Sequence, residues 1–238
     1  MAAEDAPVEW LTALLLLGAS GLFAADVRRR WRGRGGRPIA LLGLLLSVIF
    51  ALLLFAAGME EVSWLQRLLG FDTPAAVAQA NWQHEFNLHN THTFLFNCVY
   101  YAGSATFLVL LPLLAEAAPN WAPLLAVEGH LPWRSIAALS APVSMFNFGH
   151  WNLVPIQFSL MLSLCALLGF AGLARRRGDA REGRLFLFLA AAVAAGQAAF
   201  LIFGPSLPPV PDSTEYQELF IALGFFAFAW QARGRFAA

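Results

Sequence analysis

From Pro38 to Gly58 the chain reads PIALLGLLLSVIFALLLFAAG, an uncharged run of 21 residues whose only polar side chain is Ser47. A helix needs about 20 mostly apolar residues to cross the hydrocarbon layer of a bilayer. The rest of the chain could not bury such a segment in water. Of 238 residues 59% are hydrophobic and 13% charged, with 21 Phe and 8 Trp. Soluble domains run near about 45–50% apolar and about 25% charged, and a body of this size has too little interior for the excess. The reading is an all-α, polytopic transmembrane helix bundle.

Working outward, seven segments approach spanning length: Val8–Ala25, Pro38–Gly58, Thr91–Ala115, Arg134–Gly149, Leu153–Ala174, Leu185–Gly204 and Gln217–Gln231. The fourth and seventh are the shortest or most polar. The flank Glu4, Asp5 and Glu9 is acidic, unlike the basic start of a cleavable signal peptide. A single integral membrane domain over 1–238 is expected, with an outer amphipathic region at about 59–90. Cys98 and Cys165 lie in apolar runs, so no disulfide framework is implied. Gly103 and Gly196 are candidates for close helix packing.

Orientation follows from arginine, since cytoplasmic loops are enriched in it. All 15 basic residues are Arg, balanced by 15 acids. With seven spans, 14 Arg and five acids fall on one side, net +9, while Arg67 and ten acids fall on the other, net −9. The N-terminus is expected outside and the C-terminus inside. Zero overall charge speaks against a nucleic-acid partner, which calls for a basic surface.

The longest connection carries most of the outer polar residues. Met59, Val62, Leu65, Leu68 and Leu69 form the apolar side of an amphipathic pattern that Gly70-Phe-Asp-Thr-Pro74 ends. Thr73 and Pro74 read as a hydroxyl cap and first residue of a new helix. If that helix runs on into the third span, Glu85, His89, His92, Phe96 and Tyr100 share one stripe at about 100° per residue. If Asn87-Leu-His-Asn90 breaks it, the angular argument lapses. Spacings of i,i+4 and i,i+3 let carboxylate and imidazole converge on a metal or form an acid–base pair. Glu60 and Glu61, the His150 turn, and Glu215 with Glu218 are the other outer features able to approach. Polar groups gathered at one leaflet of an apolar bundle are a default functional hypothesis. Tyr100 and Tyr101 read as packing residues, and His130, on the opposite side, is given no role.

The run Glu60-Glu-Val-Ser-Trp-Leu-Gln-Arg67, with Gly70-Phe-Asp-Thr-Pro74, Asn81, Glu85 and Phe86-Asn-Leu-His-Asn90, resembles an EExSWxQR…TP…NLHN signature of uncharacterised bacterial multi-pass proteins. That resemblance implies a bacterial cytoplasmic (inner) membrane location and no known activity. A second similarity is to the CAAX-type intramembrane proteases, with motifs EExxxR, FxxxH and a later histidine motif. Here five residues separate Glu61 from Arg67, Phe146-Asn-Phe-Gly-His150 fits FxxxH, and no histidine follows His150.

Two functional classes are compatible with these residues. One is a membrane-embedded hydrolase or transferase acting on a lipid or lipid-linked substrate. In it Glu60, Glu61, Arg67 and Glu85 carry the chemistry, and His89, His92 and His150 hold a divalent metal such as zinc. The other is noncatalytic: a small transporter or a subunit of a larger membrane complex. Haem held by His92 and His150 is a third possibility. Membrane lipids are the expected surroundings in every case.

Overall fold

The structure is a computed structural model that describes residues 6–33, 38–81, 85–88, 91–120, 129–145, 153–203 and 213–234. Among these residues there is no strand, and the regular structure is helical. The long elements are α1 (Ala6–Gly33), α2 (Pro38–Glu61), α5 (Thr93–Ala117), α7 (Phe158–Arg176), α8 (Ala180–Phe203) and α9 (Ser213–Gly234). Short pieces lie between them: α3 (Gln66–Leu69), α4 (Ala75–Ala80) and α6 (Arg134–Ser140).

Five helices are long and apolar enough to cross a membrane: α1, α2, α5, α7 with its preceding turn from Pro155, and α8. α9 has the length but carries Glu215, Gln217, Glu218, Gln231 and Arg233, and is not among the five. α6 falls within the expected fourth span, Arg134–Gly149. It has 7 residues and continues as a narrow 3₁₀ turn over Ala141–Met145, and residues 146–149 lie outside the described ones. Pro142, where an i→i−4 donor is needed, accounts for the break. The bundle's outer surface is apolar: Leu52, Leu53, Val99, Phe188 and Ile202 are among the most exposed side chains, which suits lipid contact.

α1 packs between α2 and α9, and α7 packs on α8. Gly178 (φ +80°) makes the tight α7–α8 connection, accepting the left-handed conformation that closes a helix end. Asp179 then caps α8 by accepting the amide of Glu182 at 2.9 Å. At the centre, one phenylalanine comes from each of four helices. Phe23, Phe50, Phe107 and Phe228 sit with neighbouring ring centroids 5.0–5.6 Å apart, a spacing that favours tilted and offset aromatic pairs.

Where helices cross closely, small residues allow it. A Cβ on Gly58 would lie 3.0 Å from Leu17 and 3.2 Å from the Ala13 carbonyl, so α2 approaches α1 there. Gly196 meets Met145 in the same way, at 2.9 Å. Gly103 does not, because a Cβ there would meet nothing within 4 Å.

The two ends of the bundle differ in chemistry. At the arginine end, Arg134 and Arg177 alternate with Glu116 and Glu182 in a closed ring of four ion pairs joining α5, α6, the α7–α8 turn and α8. The Arg177 guanidinium, outside the apolar helix, is held above its ordinary range chiefly by its hydrogen bond to Glu116. Nearby, Gln231 of α9 accepts the amide of Trp133 at 2.8 Å and donates to the Leu131 carbonyl at 3.0 Å. The other end is acidic.

Candidate functional site

At the acidic end, α2 finishes in an unusual turn. Ser63, Trp64 and Leu65 have φ of 46°, 54° and 61°, three consecutive left-handed residues with no glycine among them. Each such residue costs about 1–2 kcal/mol for an L side chain, so neighbouring contacts must offset the cost. They come from the residues of the loop itself. The buried Glu60 carboxylate accepts the Trp64 indole N–H on Oε1 and the Leu88 amide on Oε2, both at 2.6 Å. Ser63 donates to Glu85 Oε2 at 2.6 Å and accepts from Asn87 Nδ2 at 3.2 Å.

Two amides complete the scaffold. Asn81, 1% exposed, donates to Asn87 Oδ1 at 2.7 Å and to the Glu85 carbonyl at 2.8 Å. Gln66 donates to Thr73 Oγ1 at 2.6 Å and to the Phe71 carbonyl at 3.1 Å, and accepts the Phe86 amide at 2.7 Å. Phe71 and Phe86 meet edge to face, 5.7 Å between centroids. Most of the quoted loop signature thus closes the loop on itself.

This geometry corrects the helical stripe. α4 covers only Ala75–Ala80, Asn81 is extended, and helix resumes at Thr93. Pro74, rather than Thr73, occupies the cap position of α4, because the Thr73 hydroxyl is engaged with Gln66. The amphipathic helix expected from Met59 is likewise divided by the left-handed turn. Glu85 and His92 therefore do not share a helix face. Glu85 is tied to Ser63, and His92 is exposed just before α5. His89 and His150 lie outside the described residues, as does the side chain of Arg67, whose backbone belongs to α3.

Glu61 takes a different course from Glu60. Adjacent helical residues diverge by about 100°, and Glu61 meets Glu215 and Glu218 of α9. Their carboxylate oxygens lie within 4.8 Å of one another, and among the described residues this is the only such group of three or more His, Cys, Asp or Glu. Glu215 and Glu218 are i,i+3 and so share a face. From α5, Tyr101 donates its hydroxyl to Glu218 at 2.6 Å. The Tyr100 hydroxyl is buried without a hydrogen-bond partner. Both tyrosines sit in a widened π-helical turn, Cys98–Ala102, with ring centroids 5.8 Å apart. Such turns recur at functional sites.

Three carboxylates this close repel one another unless protons or a cation lie among them. An all-oxygen set suits a hard cation such as Mg²⁺, Ca²⁺ or Mn²⁺ better than the zinc expected from histidines. The sequence placed Glu215 and Glu218 near the site but assigned them no role, and it read Tyr101 as packing.

A second polar group was missed entirely. At the arginine end, Ser47 donates to Asp26 Oδ2 at 2.7 Å and lies 2.9 Å from His130 Nε2. Asp26, Ser47 and His130 are 2%, 0% and 4% exposed. Arg30 and Arg29 pair with Asp26 at 2.6 and 3.2 Å, and the His130 ring stacks over Phe23 and Phe50. Because the serine lies between the acid and the imidazole, it is not placed as a nucleophile activated by histidine. The group fastens the Gly129–Pro132 segment to α1 and α2.

The fold defines a helical multi-pass membrane protein with a carboxylate cluster at one end. No known protein family, no curated protein and no solved structure matches the chain.

Proposed function

We propose that the protein is a bacterial inner-membrane enzyme whose working centre is a hard-cation site formed by Glu61, Glu215 and Glu218. Its chain crosses the membrane with the N-terminus and the acidic end outside, so the site faces the outer leaflet. The observation that carries this reading is the convergence of these three acids from α2 and α9 within 4.8 Å, beside a buried Tyr100 hydroxyl with no partner. Tyr101 fixes the orientation of Glu218. Glu60, Ser63 and Glu85 hold the loop in place alongside rather than taking part in chemistry. A divalent cation at this position would supply Lewis acidity and an activated water for hydrolysis or group transfer. The substrate class is a lipid or lipid-linked phosphate or ester reached from the membrane, with the forked donors of Arg67 suited to its phosphate or carboxylate.

Titration of the full chain in nanodiscs with Mn²⁺, followed by electron paramagnetic resonance, tests the site. One bound ion per chain is expected, displaced by Mg²⁺ or Ca²⁺ and lost in Glu61→Gln and Glu218→Gln. Absence of binding, or binding unchanged in both variants, overturns it.

A noncatalytic reading, a small cation transporter, draws support from a different feature: a small cavity beneath the carboxylates into which five serines, Gln217 and Tyr101 project. Flux of a cation into proteoliposomes in the absence of any hydrolytic activity would favour it.

A further inference from the structure

Below the acidic end, α5, α6 with its 3₁₀ extension, α7 and α9 enclose a cavity of about 20 Å³. That is room for one water-sized guest. Five serines, Gln217 and Tyr101 interrupt an otherwise apolar lining. In the middle of a bundle this is an expensive arrangement, because polar groups there have no bulk water to turn to.

The direction of the hydrogen bonds shows what the cavity wants. Ser144 spends its proton on the Ala141 carbonyl, Ser159 on the Pro155 carbonyl, and Tyr101 on Glu218. Toward the cavity these three oxygens have only lone pairs left. Gln217 Oε1 is a further acceptor. It is buried with no partner, on a side chain 2% exposed. Ser140 Oγ, on a residue 7% exposed, is buried and unpartnered as well. Buried polar groups without partners are rare in folded proteins and call for a missing guest. Among the described residues no basic or acidic side chain lines the cavity, and the Glu218 carboxylate lies one hydrogen bond behind Tyr101.

We propose that this cavity is a binding site for a small monovalent cation, Na⁺ or K⁺, coordinated by the neutral oxygens of Ser140, Ser144, Ser159, Tyr101 and Gln217. Ser144, Ser159 and Tyr101, whose protons are committed elsewhere, and Gln217 Oε1 face a guest as acceptors, which suits a cation better than an anion. The lack of a carboxylate in direct contact disfavours divalent ions, which are normally held by one or more. Glu218, one hydrogen bond away, supplies the compensating charge. Its coordinating oxygens are distinct from those of the carboxylate cluster, which it meets through the Tyr101–Glu218 hydrogen bond.

Thermal unfolding of the full chain in nanodiscs, in NaCl, KCl and choline chloride at equal ionic strength, reads this out. A saturable rise in Tm with Na⁺ or K⁺ over choline is expected, as for any ligand that binds the folded state alone. Gln217→Leu should abolish the rise, and Ser140→Ala, a smaller change, should shift its midpoint at least tenfold to higher salt. Both variants should keep Mn²⁺ binding at Glu61, which separates failure of this site from failure of the other. Equal Tm in all three salts, which leaves water as the guest, overturns the proposal. So does an unchanged rise in both variants.

Discussion

Replacing Glu60 with glutamine tests whether the left-handed turn is held from outside. The wild-type carboxylate accepts two N–H groups at 2.6 Å, one from Trp64 and one from Leu88. Glutamine keeps one acceptor oxygen and turns an amide NH₂ toward the other donor. One hydrogen bond to a charged group is lost, worth about 1.5–3 kcal/mol. That loss is comparable with one or two of the three left-handed residues, each about 1–2 kcal/mol. The turn should therefore open locally while the helices stay packed. Hydrogen exchange of peptides covering residues 59–70 and 85–88 should accelerate by roughly ten- to a hundredfold, at about tenfold per 1.4 kcal/mol. Peptides within α7 and α8 should be unchanged. Protection of the turn equal to wild type would refute the reasoning, because the strained residues would then be held by something other than Glu60.

Two further outcomes follow from the packing. Gly58→Leu should lower stability by about 1–3 kcal/mol through overpacking against α1, whereas Gly103→Ala, with open space at its Cβ, should be neutral or stabilising by up to about 1 kcal/mol; thermal unfolding in detergent compares them. Asp26→Asn breaks a pair in which Arg30 and Asp26 side chains are 8% and 3% exposed. A loss of about 3–5 kcal/mol is expected by the same measurement, and a change below about 1 kcal/mol would show the pair to be dispensable.

The long helices were legible because a span must satisfy its backbone internally over about 20 residues, and hydropathy records that directly in Pro38–Gly58. The short α6 was less so. Residues 134–149 are apolar enough, but Pro142 and the narrowing at Ala141–Met145 limit the helix in a way that average hydropathy does not register. The loop was misread for a related reason. An angular stripe presumes uninterrupted helix, and Ser63-Trp-Leu65 has no glycine to announce a left-handed turn. Its cause lies in partners 20 or more residues away, Glu85, Phe86 and Leu88.

The cluster of acids was partly visible. Glu61, Glu215 and Glu218 could be assigned to the same end from topology, but two neighbouring glutamates look alike until the end of α2 is known. Asp26, Ser47 and His130 come from three segments, and no local spacing brings them together. His130 acquires its position only from the stacked Phe23 and Phe50 rings.

The Glu60–Glu61 dipeptide has a mechanical consequence. One side chain grips the loop and the other reaches the carboxylates of α9, yet their Cα atoms are only about 3.8 Å apart. A displacement that draws Glu61 toward Glu215 and Glu218 must rotate Glu60 against Trp64 and Leu88. Loop and cluster are geared to each other like two teeth on one wheel.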